Sequence, residues 1–186
     1  MNRRTKIAAV AVALLLTAGA AGAATASAPG EDRGGAPREA AALTGAAWLD
    51  RDPATRQSVH FSFDAHLAWA DRRDPLAATG TFRYAHTVGD ETYTAVVEVD
   101  CLATGGPSAT VTGIVTETNL PGLERKRVGV SVFDDGKRDR LGYSWLASSP
   151  LEDEVPPCNA AAPFERTRRG GGDFRVLPWV YEDAAR

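Results

Sequence analysis

The chain has 186 residues, with 24 acidic and 21 basic side chains, a formal charge of −3 at pH 7, and two cysteines. A mildly acidic chain has no long-range pull toward nucleic acid or anionic lipid, so both are set aside as partners. The length suits one domain with a core of its own.

Arg3, Arg4 and Lys6 precede an apolar run from Ile7 through Leu16, and small residues with Ala-x-Ala sites follow. That order predicts a secretory signal peptide over residues 1–26, cut after Ala26 or else Ala23. The run is short for a membrane span, so no span is expected after cleavage. Cleavage would remove three bases and no acid, taking the formal charge from −3 to −6. Residues 27–42 hold Ala, Gly, Pro and charge without a β-branched or aromatic side chain, which predicts a disordered lead-in. One β domain over residues 43–181 and a tail at 182–186 complete the expected organisation.

Beyond Thr44 the chain alternates with period two. "GAAWLD" near Trp48 predicts a short first strand. In "SVHFSFDAHLAW", Val59, Phe61, Phe63, Ala65, Leu67 and Trp69 fall on one face, with Ser58, His60, Ser62, Asp64 and His66 on the other. A strand with one buried and one wet side produces this pattern. "DRRDPLAATG" then reads as a loop. Alternation resumes at Phe82 and Tyr84, at Tyr93, Ala95, Val97, Val99 and Cys101, at Val111 and Val115, at Val128, Val130 and Val132, at Leu141 and Tyr143, and near Val176.

Turn signals at Gly89-Asp90, Gly105-Gly106-Pro107, Pro121-Gly122 and Asp134-Asp135-Gly136 separate these runs, which predicts antiparallel neighbours. No stretch makes a useful amphipathic helix. The expected fold is all-β with about eight strands, an antiparallel β-sandwich or, as the alternative, a closed antiparallel β-barrel.

Two cysteines in an exported chain pair more often than not, so a Cys101–Cys158 disulfide is expected. Cys101 continues the inward alternation, which predicts a sulfur in the core. Two isolated cysteines without a CxxC or a neighbouring histidine make no zinc motif, and a buried thiol makes a poor nucleophile.

Chemistry is sparse. Asp64 and His66 lie on one strand face ~7 Å apart and are candidate metal ligands. Asp134, Asp135 and Asp139 crowd a glycine but lack the EF-hand spacing, which leaves them candidates for a simpler cation site. Trp69 and Trp179, at strand ends, are candidate ligand platforms. No G-x-S-x-G or H-E-x-x-H occurs, so no catalytic residue is nominated and no cofactor is expected.

The runs G-T-F-x-Y (80–84), V-E-V-D-C-L (97–102), A-T-V-T-G-I-V (109–115), V-G-V-S-V-F-D-D-G (128–136) and D-R-L-G (139–142) resemble small secreted actinobacterial proteins that carry the label "repetin". The resemblance covers about Gly45 to Trp179 and implies a β fold without an active site. The resulting expectation is a secreted, monomeric, non-catalytic module that binds an extracellular or cell-wall glycan or protein. A hydrolase with an unrecognised site, and an inhibitor or structural protein, are the alternatives.

Overall fold

A computed structural model describes residues 38–136 and 138–180. The expected signal peptide with its cleavage site, most of the expected lead-in, and the tail at 182–186 lie outside the described residues. Eight strands follow one another: β1 (Glu39–Leu49), β2 (Gln57–Ala68), β3 (Thr79–Val88), β4 (Glu91–Gly105), β5 (Ser108–Thr118), β6 (Arg127–Phe133), β7 (Arg140–Tyr143) and β8 (Glu165–Leu177). Helix is confined to four single 3₁₀ turns among the described residues. Each strand pairs antiparallel with the next, and β8 pairs with β1. The result is one ring-closed sheet in place of two stacked ones.

Closure depends on close backbone approach between β1 and β8. A Cβ on Gly45 would stand 2.3 Å from the Asp173 carbonyl oxygen, and one on Gly172 would stand 1.9 Å from that of Ala46. Both glycines have positive φ, at 104° and 117°, which a side chain would resist. The ring is nevertheless irregular. β7 meets β8 through two residue pairs, Arg140 with Arg166 and Leu141 with Glu165.

Glu39–Ala42 belong to β1, which corrects the lead-in at its C-terminal end. Ala41 pairs with Leu67 and Ala42 with His66, and Ala40, Ala41 and Ala42 are buried. Composition assigned them to a lead-in because it weighs side chains. The neighbouring strand supplies hydrogen bonds to backbone whatever the side chain.

Inside the ring, the predicted alternation holds along β2, where Val59, Phe61, Phe63, Ala65 and Leu67 are all buried. Eight strands enclose a space just wide enough for side chains to fill. Aromatic rings fill much of it: Phe63 lies 5.7 Å from Phe82 and 5.3 Å from Phe174, centroid to centroid. Toward the end where β2 begins, Phe61 meets Tyr84, Tyr143 and Trp145 at 5.9, 5.6 and 5.9 Å. Trp145 sits on a 3₁₀ turn after β7, packed against this core.

Cys101 and Cys158 form the expected disulfide, with Cα atoms 5.4 Å apart. Its predicted place is corrected. The β4–β5 register passes from Val99 opposite Gly113 to Cys101 opposite Thr112, so Asp100 is an extra residue in the ladder. Such a bulge reverses the face of whatever follows. Leu102, opposite Val111, takes the inward place, and Cys101 turns outward beside Thr112 and Gly129.

The sulfur is still fully buried, because residues 155–163 cross the outer face above it. This strap is held by the Cys158 N–H donating to Thr112 Oγ1 at 3.0 Å and Ser131 Oγ donating to the Ala160 carbonyl at 3.1 Å. Gly129 makes room for it, since a Cβ there would lie 2.6 Å from the Asn159 carbonyl oxygen.

Candidate functional site

Rings pack along the inside of the sheet, and its outer face is concave. A groove of about 560 Å³ runs across the outer face of β2, β3, β4 and β5. Its floor carries short side chains, Ser62, Ala85, Thr94 and Val96, and its rim carries His60, Arg83, Glu117 and Asn119. Pairing places Arg83 beside Val96 and Val96 beside Glu117, so the two charges stand two strand spacings apart, ~10 Å at the backbone.

Neither the Arg83 nor the Glu117 side chain makes a hydrogen bond or ion pair with another described residue. Asn119 is different: its amide accepts from the Thr94 N–H at 2.7 Å and donates to the Thr92 carbonyl at 2.7 Å, which fixes that wall. On the opposite side Trp48 pairs with His60 across β1 and β2, ring centroids 4.6 Å apart, and is 36% exposed.

Burial holds the His60 imidazole below its ordinary value, which favours the neutral ring at pH 7. The sequence marked His60 only as a wet-face residue and passed over Trp48, Arg83 and Glu117. Period-two alternation puts His60 and Arg83 on the outside. Trp48 stands between two apolar neighbours, and Glu117, in step with Val115, faces out only because the β4–β5 register shifts between Val96 and Val97. Their convergence depends on cross-strand register, which periodicity does not give.

Four of the metal candidates, Asp64, His66, Asp134 and Asp139, have engaged side chains, while Asp135 takes part through its backbone N–H. His66 contacts Glu39 through Nδ1 at 2.6 Å and Asp64 through Nε2 at 2.8 Å. The hydrogen bond to Asp64, supported by Glu39, raises the imidazole above its ordinary value. Both ring nitrogens are thereby taken up by carboxylates. Asp139 is 1% exposed, and its carboxylate accepts from the Asp135 N–H at 3.0 Å and the Phe174 N–H at 2.7 Å. Asp134 accepts from the Gly136 and Val176 N–H groups.

These two aspartates, just before β7, therefore stand in for the strand carbonyls that β8 lacks beyond the start of β7. Burial pushes the Asp139 carboxyl up, and the two backbone donors partly offset it. Asp139→Asn would keep one acceptor for two backbone donors, one of them buried, and turn an N–H against the other. We expect a loss of about 1–3 kcal/mol, read by urea unfolding.

Trp69 does not close β2 as an inward strand residue. It begins a 3₁₀ turn, packs against the core, and has the Arg38 and Arg72 guanidiniums 3.4 and 4.9 Å from its ring centre. Trp179 is 37% exposed, and its Nε1–H donates to the Arg72 carbonyl at 2.7 Å. The two tryptophans lie at the same end of the ring, both in contact with Arg72, and away from the groove.

A further gathering of titratable groups sits at the opposite end. Arg51 grips Glu165 with Nη1 and Nη2 at 2.5 and 2.7 Å and donates to the Tyr143 hydroxyl at 2.7 Å. Burial raises Tyr143 and lowers the nearby His86. This trio joins the end of β1 to β7 and β8 at the seam with two residue pairs, which accounts for it as a staple.

The three histidines have opposite linkage signs. For His60 and His86, lowered from 6.5, the folded chain resists protonation, so their stability contribution is complete above 6.5 and is lost as pH falls toward their folded values. For His66, raised from 6.5, the contribution is complete below 6.5 and is lost as pH rises through its folded value. A ring-proton NMR titration should show His66 titrating above 6.5, with His60 and His86 below.

Among the described residues no helix is long and apolar enough to cross a membrane. Comparison with protein-family models, with curated proteins and with solved structures finds no match to the chain.

Proposed function

We propose that the protein is a secreted, non-catalytic binding module that seats a neutral sugar chain in the outer groove of β2–β5. The observation that carries this reading is the pair Arg83 and Glu117, opposite charges without internal partners, facing each other over a floor of short side chains. A charged ligand would gain from one and lose from the other. A polyol loses to neither, because its hydroxyls accept from the guanidinium and donate to the carboxylate. Trp48, beside His60, adds a flat apolar ring of the kind that sugar faces cover. Export fits the disulfide and the expected signal peptide.

The test is affinity electrophoresis in gels containing β-glucan, xylan or mannan, with sedimentation on chitin beside it. At least one polysaccharide should retard the protein. Arg83→Ala and Glu117→Ala should each weaken retention about ten- to a hundredfold, the range for one hydrogen bond to a charged group. Both side chains are exposed, so unfolding midpoints should stay put. Migration unchanged in every gel, or variants retained like the parent, would refute the reading. Release of reducing sugar would refute its non-catalytic half.

A further inference from the structure

A second concavity opens at the end of the ring where β2 passes into the turn at Trp69. It measures about 240 Å³. Leu67, Leu102 and Ala41, all nearly inaccessible, form its floor; Trp179 forms one wall, and Arg72 and Arg73 stand at the rim. The wall is pinned, because the Trp179 backbone N–H donates to Thr104 Oγ1 at 2.8 Å and its indole N–H to the Arg72 carbonyl at 2.7 Å. The ring is therefore fixed against the Arg72 backbone before any ligand arrives, which lowers the entropy cost of binding.

The charged side chains that line this pocket are both arginines, while Asp71 and Asp74 share an adjoining concavity with them. Arg73 is exposed and makes no hydrogen bond or ion pair with a described residue. Asp71 and Asp74 flank the two arginines in sequence, but neither lines the pocket. The Asp74 carboxylate is held by the Leu76 N–H at 3.0 Å, as the cap of a 3₁₀ turn. A guanidinium over an apolar floor complements a ligand with an anionic head and an apolar body, and its fork matches a carboxylate.

Size narrows the class. At ~30 Å³ for each water-sized unit, the pocket admits on the order of ten non-hydrogen atoms. That is too short for the full acyl chain of a membrane lipid and suits a free medium-chain or aromatic acid. We propose that this end of the ring binds a small apolar carboxylate, with the head at Arg73 and the body against Trp179, Leu67 and Leu102. The site is separate from the outer groove and does not depend on the sugar reading.

The test is isothermal calorimetry on the purified protein, with octanoate as the probe and 1-octanol and octylamine as controls of equal chain length. Octanoate should saturate at one per chain, and both controls should bind at least about tenfold more weakly. Arg73→Gln should weaken octanoate about tenfold and leave octanol unchanged. Ala103→Phe, at an exposed lining position on β4, should fill the pocket and abolish binding, with near-ultraviolet circular dichroism verifying its fold. Octanoate that fails to saturate below about 10 mM, octylamine binding equally well, or either variant binding like the parent would overturn the proposal.

Discussion

Replacing both cysteines, Cys101→Ala with Cys158→Ala, is expected to lower the unfolding free energy by about 4 kcal/mol, read from urea or guanidinium transitions. The bond spans 57 residues, and a loop of that length removes about this much unfolded-state freedom on the chain-entropy account. The loss should be local before it is global. Without the bond, residues 155–163 are held on the outer face by single hydrogen bonds from Cys158, Ser131 and Arg127. Proteolysis of the double variant should therefore begin in the strap, ahead of cutting within β1–β5.

The second large effect is expected in the aromatic interior. Phe61 is wholly buried and touches Phe63, Tyr84, Tyr143 and Trp145, so Phe61→Ala should cost about 3–5 kcal/mol by the same transitions. Trp48→Ala should cost far less, because its ring lies on the outside, 36% exposed. The contrast between two aromatics on paired strands tests which face each one occupies. Equal losses would mean that the inside and outside of the ring are misassigned.

These expectations show where sequence pattern carries information and where it stops. Along β2 the alternation of Val59, Phe61, Phe63 and Ala65 reports the buried face directly, since adjacent side chains must point to opposite sides. The same rule fails in β4 five residues before Gly105, which closes the hairpin, where Asp100 inserts into the ladder. A clue is visible in "VDCL": Cys101 and Leu102 are both apolar, which strict alternation forbids. That clue marks a break without saying which side of the sheet the cysteine will face.

Ring closure was legible as an option only. It depends on whether β8 returns to β1, and the glycines that permit this, Gly45 and Gly172, look like ordinary turn or linker residues until their neighbours are known. The aspartates at 134 and 139 read as a cation loop because a carboxylate's partner can be a metal or a backbone N–H. Only the shortness of β7, which leaves β8 donors unpaired, decides for the latter. The groove was least legible of all, being assembled from β2, β3, β4 and β5 by register.

The most direct test of the account is an amide NMR titration of the protein with the hexasaccharide of whichever neutral polysaccharide retards it. Shift changes are predicted at Ser62, Arg83, Val96 and Glu117 and in the Trp48 indole, with little change along the strap at 155–163. Saturating sugar that leaves those positions unmoved, or that moves only amides elsewhere, would contradict it.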